Sequence, residues 1–471
     1  MNSETTPLVH KESWCHTALR VRILTAIISL AEGYDIGVVN GAVVLFREDL
    51  QLANWQVGVV LSIFPLGVSI CAPAAGSLSD WVGRKPTMAV SCMLLIAGGL
   101  LMACSTSFEM MAAGRIIAGS GVGVGITAVT TYMSEAAPAA ERGFYGSLEE
   151  LFVSVGMITG YLANAMLFGF PHDWRLMLGA GVLPAVAVLV ILLLPVSLTG
   201  IPESPRYLKQ VGRTDEAKAV LLDLLEGDQQ EAERAFQAWT EQEQQGMASW
   251  DESLKAFCTS HRRAALAGIG CGMLNLFTGI MLMNIWSTTL LVSTGMSKDE
   301  AMWVSVGLGT AKALVMLLAA LFFLDVWGRQ PLLLTSLGIC IVAASIGIAA
   351  ASLGWGDMWI VLALCIFVTG YAAGVGPVPW VYMPEVFENR YRGKGCAIGV
   401  SGSRLNGVAQ MFLFPLFFPI VGVQGLFTVL LALNLWGFAY VRIFCPETMG
   451  ISIEKVHKIF QPPRVEEATL P

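Results

Sequence analysis

Charged side chains inside long uncharged segments are the first candidates for chemistry in this sequence. Glu32 and Asp35 lie in one such segment and Arg115 lies in another. An ionised group in the middle of a membrane costs at least ~2.5–3.5 kcal/mol, so each of the three is a candidate functional residue. Asp35 lies about 21 Å into its segment from one face, and Arg115 about 9 Å into its segment from the other. In a core ~30 Å thick these depths match, which predicts that the two side chains pair.

The chemistry expected of this pair is proton uptake and release. A nearby guanidinium favours the ionised carboxylate, whereas apolar surroundings favour the protonated acid, so a small rearrangement would switch Asp35 between the two. A static buried ion pair is the alternative. Glu32 lies one turn before Asp35 on the same helical face. It is either a second titrating group or a residue in a wet cavity.

Other polar side chains in apolar segments are candidates for binding a solute. Trp380 follows Gly376-Pro-Val-Pro379, and a helix broken there exposes backbone groups that are tolerated only within protein or against a cavity. An indole can cover the apolar face of a solute and donate from its ring N–H; a packing role is the alternative. The long stem of Lys312 can reach a polar cavity, or the residue has no functional role. Asn275 and Thr278 are candidate lining residues.

Composition indicates the elements that position these groups. The chain has 471 residues, of which 55% are hydrophobic and only 13% charged, whereas a soluble protein carries roughly 25% charged residues. About 20 apolar residues in a helix cross a membrane. The sequence therefore predicts an all-α polytopic membrane protein with twelve transmembrane helices. The predicted spans are 21–44, 55–77, 87–106, 109–133, 144–168, 174–198, 263–290, 300–325, 331–353, 357–383, 394–418 and 422–445.

The twelve spans divide into two halves. We predict a cytosolic tail at 1–20, a six-helix half at 21–198, an intracellular helical linker at 199–262, a second half at 263–445 and a cytosolic tail at 446–471. Apolar residues recur at helical spacing over 215–225, which predicts an amphipathic helix in the linker. Lys and Arg concentrate in the loops and tails of one side, and this side is therefore predicted to be the cytosol.

A short motif occurs at equivalent places in the two halves. Asp80-Trp-Val-Gly-Arg-Lys85 follows the second span, and Asp325-Val-Trp-Gly-Arg-Gln330 follows the eighth. One DxxGR sequence is weak support for any assignment. Two of them, on the same side and at matching positions, favour a transporter built from duplicated halves.

Because of the two DxxGR motifs and several further motifs, this chain resembles the sugar porter family of the major facilitator superfamily over about residues 20–460. The resemblance is closest to the polyol and monosaccharide proton symporter branch. The other matching segments are Gly33-Tyr-Asp-Ile-Gly-Val-Val-Asn-Gly-Ala42, Arg115–Gly125, Glu135 with Arg142, Pro202-Glu-Ser-Pro-Arg206, Gly376-Pro-Val-Pro-Trp380, Glu385 with Arg390 and Arg392, and Pro446-Glu-Thr448.

The resemblance implies roles for individual residues. Asp35 would be the proton acceptor and Arg115 its modulator. Residues implied to contact the solute are Glu150, Asn284, Ser403 and Arg404, with Glu150 as an alternative partner for a cation such as Arg404. A cytosolic gate of salt bridges between the halves would use Asp80, Arg84, Glu135, Arg142, Asp325, Arg329, Glu385, Arg390 and Arg392, with Glu203 and Arg206 linking the central helices. Exposed pairs contribute only ~0–1 kcal/mol each, which suits a gate that opens in every cycle. Determination of membrane topology alone is the alternative role of these charges.

The seventh span departs from the family pattern. Family members have a glutamine pair followed by Gly-Ile-Asn and two tyrosines, where this chain has Asn275-Leu-Phe-Thr-Gly-Ile-Met281 and then Ile285-Trp286. Several groups that bind hydroxyls are replaced by apolar ones. The resemblance therefore does not specify which sugar or polyol is the solute.

The leading functional hypothesis is a proton-coupled symporter of a polyol or monosaccharide that works by alternating access. A facilitative uniporter and a non-transporting nutrient receptor are the alternatives. We expect no enzyme, cofactor, metal site or nucleic-acid partner, because all five histidines lie outside the spans and the Gly119–Gly125 run reads as a helix-packing face. The expected partners are the solute, the proton and the lipid bilayer, and the expected functional unit is a monomer. The plasma membrane is the expected location, with an organelle membrane as the alternative.

Overall fold

The computed structural model describes residues 9–136, 142–195, 199, 201–225, 228–245, 249–323, 326–449 and 459–460. Side chains are also left undescribed at some helical positions, including 9–25 and 142–150. Asp325 and most of the predicted C-terminal tail therefore lie outside the described residues, as do the side chains of Arg142 and Glu150. Every regular element in the described part is a helix. The predicted all-α class is confirmed.

Eighteen α-helices are numbered here in chain order. The first group is α1 Val9–Asp49, α2 Asn54–Val82, α3 Arg84–Ala103, α4 Phe108–Ala136, α5 Arg142–Leu167, α6 Asp173–Ala180 and α7 Val182–Leu193. Short helices follow: α8 Pro205–Gln210, α9 Thr214–Leu224, α10 Gln229–Gln245 and α11 Trp250–Cys258. The last group is α12 Arg262–Phe277, α13 Ile280–Ser293, α14 Lys298–Leu318, α15 Arg329–Leu353, α16 Asp357–Ala373, α17 Val378–Val386 and α18 Asn389–Phe444.

The long helices are membrane-spanning by length and composition. Within the described residues, 10 helical stretches are long and apolar enough to cross a membrane, and Leu151–Leu167 is a shorter apolar helix. One stretch, Arg390–Phe444, is 55 residues long. It contains Gly422, whose φ of 63° and ψ of −168° are not helical. This position coincides with the predicted boundary between the last two spans.

The described residues fall into two compact units. The first comprises parts of 1–245 together with 298–309, and the second comprises parts of 246–297 together with 310–471. The first unit therefore contains α1 to α10 and the first part of α14. The second contains α11 to α13, the rest of α14 and α15 to α18.

Glycines allow the helices of the first unit to approach closely. A Cβ added at Gly156 of α5 would lie 2.2 Å from the carbonyl oxygen of Leu30 in α1. One added at Gly119 of α4 would lie 2.2 Å from the carbonyl oxygen of Phe64 in α2. Both positions exclude any larger residue without a backbone shift. The predicted helix-packing role of the Gly119–Gly125 run is confirmed.

Two spans of the second unit are interrupted. Thr278 and Gly279 separate α12 from α13, and Gly279 has a φ of 89°. Residues 374–377 separate α16 from α17. The sequence predicted the second break from its prolines and missed the first.

Between the groups of long helices lie the short helices α8 to α11. The predicted amphipathic helix is α9, which buries Ala217, Leu221 and Leu224. In α11, Ser249 and Glu252 form a reciprocal cap of the helix N-terminus. These elements account for the described part of the predicted linker.

Candidate solute and proton site

A buried ion pair joins α1 to α4 in the first unit. Arg115 Nη1 lies 2.7 Å from Asp35 Oδ2, and the two side chains are 3% and 12% exposed. Arg115 also donates from Nε to the carbonyl oxygen of Val60, at 3.4 Å. Its guanidinium lies 4.3 Å from the centroid of the Phe64 ring. The pairing predicted from the matching depths of these two charges is confirmed.

Glu32, the second carboxyl of α1, has different surroundings. Its residue is 5% exposed. It borders a cavity of about 10 Å³, whose other lining residues are Ile28, Ser29, Leu95, Val122, Ile126 and Val129. This volume is at the lower limit of what one water molecule occupies. Glu32 and Asp35 are therefore close in sequence but face different environments within the first unit.

Most of the predicted solute-binding residues lie in the second unit. Exposure of Asn275 is 6%, of Thr278 1% and of Asn284 7%. Lys312 in α14 is 3% exposed, and Ser403 in α18 is 6% exposed. Arg404, the next residue of α18, is half-buried. The side chain of Glu150 is outside the described residues, so its predicted role stays a prediction.

Two of these second-unit residues, Asn275 and Lys312, meet around a tyrosine that the sequence did not indicate. Tyr371 of α16 donates from its hydroxyl to Asn275 Oδ1 at 3.0 Å. Lys312 Nζ lies 5.8 Å from the centroid of the Tyr371 ring. Asn275 Nδ2 donates to the carbonyl oxygens of Val375 and Gly376, each at 3.3 Å. The helical spacing alone gave no signal for Tyr371, because it lies in an otherwise apolar run.

Two tryptophans of the second unit keep a buried N–H without a partner. Nε1 of Trp380 and Nε1 of Trp286 have no hydrogen-bond acceptor among the described residues. Trp380 is half-buried in α17. Trp286 packs against Phe414 of α18, with ring centroids 4.7 Å apart. Buried donors of this kind are uncommon in proteins and call for an explanation at each site.

A polar cluster, the first cluster, lies where α2 meets α3. Arg84 donates from Nε and Nη2 to the two carboxylate oxygens of Glu135, at 2.8 and 2.7 Å, and lies 3.1 Å from Asp80. Ser204 Oγ donates to the same Glu135 carboxylate. Glu203 accepts from the backbone N–H groups of Arg84 and Lys85, at 3.0 and 3.2 Å. Burial raises the pKa of Glu203, although these N–H groups act in the opposite direction.

The second cluster repeats this arrangement where α15 begins. Arg329 Nη2 lies 2.9 Å from Glu385, and Thr448 Oγ1 donates to Glu385 at 2.7 Å. Glu447 accepts from the backbone N–H groups of Arg329 and Gln330, both at 2.9 Å. Burial acts to raise the pKa of Glu447, but hydrogen bonds from four backbone N–H groups lower it overall.

The correspondence of the two clusters extends to their tyrosines. Tyr132 donates to the carbonyl oxygen of Pro202 at 2.8 Å, and Tyr382 donates to that of Pro446 at 3.0 Å. Each tyrosine precedes the clustered glutamate of its helix by three residues. Pairing Pro202-Glu-Ser204 with Pro446-Glu-Thr448 would have revealed this repeat from the sequence.

Three further predicted gate residues are among the described side chains. Arg390 Nη2 pairs with Glu252 of α11 at 3.2 Å, and Arg392 donates to the carbonyl oxygen of Phe387 at 3.4 Å. Arg206 lies in α8. The described pairs of both clusters each join residues of a single unit. The predicted salt bridges between the halves therefore stay a prediction.

Long apolar helices in duplicated units, with buried charges inside them, define a polytopic membrane transporter with the major facilitator fold. The family model described as "Sugar (and other) transporter" matches residues 21–460. This chain belongs to that family, the sugar porters of the major facilitator superfamily. The predicted family is confirmed.

Sequence relatives and a solved structure agree with this assignment. The chain is 31% identical to Polyol transporter 5 of Arabidopsis thaliana over 474 residues, covering 94% of this chain and 86% of the relative. It is 30% identical to the glucose transporter GlcP of Staphylococcus epidermidis over 449 residues, covering 92% and 95%. The inward-open structure of the xylose transporter XylE from E. coli matches with a TM-score of 0.80 at 21% identity, covering 94% of this chain and 99% of XylE. The chain is therefore a sugar or polyol transporter with the fold of XylE.

Proposed function

We propose that the protein is a proton-coupled symporter of a polyol or monosaccharide that works by alternating access. The observation that carries the proposal is the buried pair of Asp35 and Arg115, 2.7 Å apart inside the first unit. An ionised group inside a membrane is costly, so its presence points to a functional role. A related protein, XylE, is described as a proton:xylose symporter.

In the proposed cycle, Asp35 takes up a proton when the carrier faces outward. Neutralisation of Asp35 weakens its attraction to Arg115, and the helices that carry the two residues then rearrange. Arg115 favours the ionised acid again when the pair reforms, so the proton is released on the cytosolic side. Arg115 thus acts as the switch, and Asp35 carries the proton.

The driving force is sufficient for uphill transport. One charge that crosses 100 mV gains ~2.3 kcal/mol, and one pH unit adds ~1.4 kcal/mol. A tenfold solute gradient costs ~1.4 kcal/mol. One proton per solute therefore sustains accumulation of a few hundredfold, on the order of 10² to 10³.

The solute site is proposed in the second unit, with Trp380, Asn284, Lys312, Ser403 and Arg404 as its residues. Glu150 stays a predicted contact of the solute. Trp380 offers an indole face for the C–H surface of a sugar ring or polyol chain and a buried N–H for a hydroxyl. Thr278 is a smaller contribution to the lining. We further propose twelve spans, cytosolic termini, a plasma-membrane location and a functional monomer.

Asp35→Asn tests the proposal in proteoliposomes. The amide keeps the shape of the acid but cannot take up or release a proton. We expect uphill uptake driven by an imposed pH gradient to be abolished, while exchange of labelled for unlabelled solute at equal concentrations continues. Accumulation by the variant that equals that of the wild type would refute proton coupling.

A facilitative uniporter of the same class of solute is the second candidate. A uniporter would bring the tracer to equal concentrations on both sides and stop there. An imposed pH gradient would then leave the wild-type plateau unchanged.

A further inference from the structure

The break between α16 and α17 creates an unusual demand for hydrogen bonds. Residues 374–377 separate the two helices, and Pro377 and Pro379 have no N–H to offer. Backbone carbonyls at the end of α16 therefore lose their partners in the helix. In a membrane there is no bulk water to replace them, so other protein groups must do so.

Two buried side chains from neighbouring helices satisfy this demand. Asn275 of α12 donates from Nδ2 to the carbonyl oxygens of Val375 and Gly376 at 3.3 Å each. Ser336 of α15 donates to the carbonyl oxygen of Gly370 at 2.6 Å and accepts from the N–H of Val375 at 3.0 Å. Residue exposure is 6% for Asn275 and 0% for Ser336. The break is thus braced from two sides.

The carboxamide of Asn275 is used at both of its ends. Its two N–H donors are spent on the two carbonyl oxygens, since a primary amide has only two. Its oxygen accepts the hydroxyl of Tyr371 at 3.0 Å. A solute that bound Asn275 would have to displace bonds that hold the backbone. These contacts favour a role in holding the backbone over the solute-lining role predicted from the sequence.

A second buried carboxamide donates to backbone carbonyl oxygens at the break between α12 and α13. Asn434 of α18, which is 0% exposed, donates from Nδ2 to the carbonyl oxygens of Thr278 and Leu430, at 3.1 and 2.8 Å. Thr278 is the first residue after α12 and lies in the break between α12 and α13. The use of one buried asparagine at each break points to a common structural purpose.

We propose that Asn275 is a positioning residue, held by Tyr371, that fixes the geometry of the α16–α17 break and thereby places Trp380 for the solute. The inference rests on the proposed solute-binding role of Trp380, which is the third residue of α17 and directly follows the break. Asn275 itself makes no contact with the solute. The specificity of the second unit is set through the backbone of α17.

Hydrogen–deuterium exchange of the purified full-length protein tests the brace without any solute. Asn275→Leu removes the amide and keeps a similar volume, and Tyr371→Phe removes only the hydroxyl. Tyr440→Phe is the matched control, because Tyr440 donates to the carbonyl oxygen of Leu266 at 2.6 Å in the same unit but away from the break. We expect amide exchange over 374–380 to accelerate about tenfold in Asn275→Leu and by less in Tyr371→Phe, with no change in Tyr440→Phe. Unchanged exchange in Asn275→Leu would overturn the proposal, whether or not transport is proton-coupled.

Transport kinetics separate positioning from direct binding. The tracer is whichever hexose, pentose, inositol or linear polyol gives the highest uptake, and its mono-deoxy analogues are the competitors. We expect Asn275→Leu and Asn275→Asp to raise KM for the tracer and all its analogues by one common factor. Tyr371→Phe should add almost nothing in the Asn275→Leu background, because this background lacks the carboxamide oxygen to which the Tyr371 hydroxyl donates. If the increase in KM differed for analogues that lack one particular hydroxyl, or if Asn275→Asp recovered the wild-type affinity, Asn275 would bind the solute directly. Either result would overturn the proposal.

Discussion

In the first unit Glu203 accepts backbone hydrogen bonds from Arg84 and Lys85, and in the second unit Glu447 accepts them from Arg329 and Gln330. The residues that follow these glutamates also correspond, because Ser204 donates to the carboxylate of Glu135 and Thr448 donates to the carboxylate of Glu385. The interiors of the units do not correspond. The first holds a buried charge pair, and the second holds neutral carboxamides at broken helices.

This difference teaches which parts of a duplicated fold are constrained by structure. The clusters repeat because both turns after a long helix need their N–H groups satisfied, and a glutamate from a distant segment does so in each. The interiors diverge because each has its own demand. The proton transfer proposed for Asp35 requires a group that can ionise, whereas a helix break requires donors that do not change charge.

The largest loss of stability is expected when the charge pair of the first unit is broken. Arg115→Met leaves Asp35 buried without its partner, which should cost about 3–5 kcal/mol or force the acid to stay protonated. We expect a marked fall in the melting temperature in detergent and loss of uptake. The double variant Arg115→Met/Asp35→Asn should recover most of the stability but no uphill transport. If Arg115→Met alone were as stable as the wild type, the pair would not be important for the interior.

A smaller loss of stability is expected when a buried donor of the second unit is removed. Asn434→Leu leaves the carbonyl oxygen of Thr278 without its donor, at a cost of about 2 kcal/mol. No charge is stranded, so the loss should be smaller than for Arg115→Met and independent of pH between 5 and 8. Thermal unfolding measured at several pH values checks both points. A loss that grew with pH would contradict a purely neutral brace.

The smallest changes in stability are expected when the glutamates of the two clusters, Glu203 and Glu447, are substituted. The pKa of Glu447 is lowered, so its stabilisation is present above the usual value of 4.5 and disappears as the pH falls through the lowered pKa. The pKa of Glu203 is raised, so the folded state favours the neutral acid and ionisation at pH 7 costs stability. We expect Glu447→Gln to destabilise the protein by about 1 kcal/mol at pH 7, and Glu203→Gln to change it less.

Stability measured at a series of pH values from 7 down to the usual glutamate pKa of 4.5 provides the control for this pair. Because the pKa of Glu203 is raised in the folded state, its protonation as the pH falls toward 4.5 should add stability in the wild type and in Glu447→Gln, but not in Glu203→Gln. Equal effects of the two substitutions would mean that burial of Glu203 does not distinguish the clusters.

Much of this architecture followed from the sequence for simple physical reasons. Asp35 and Arg115 were predicted to pair because charges in apolar spans need partners and the helix rise fixes their depth. The duplicated DxxGR motif located both clusters. The prolines near Trp380 predicted one helix break, since proline cannot continue the hydrogen-bond ladder.

Other features could not be predicted because they depend on packing between distant segments. No local pattern indicates that Asn275 reaches the carbonyl oxygens of Val375 and Gly376, about a hundred residues later in the chain. The ion pair of Lys298 with Glu48, at 2.6 Å, joins residues separated by 250 positions. Thr278 and Gly279 resemble ordinary residues of an apolar span, so the break between α12 and α13 was missed.

Solute-induced alkalinisation of a weakly buffered suspension tests the central claim most directly. Proteoliposomes or cells that contain the wild-type protein are given the best tracer solute without any imposed gradient, and external pH is recorded alongside tracer entry. The account predicts a prompt rise in external pH with the wild type and none with Asp35→Asn. Solute entry through the wild-type protein without any change in pH would contradict it.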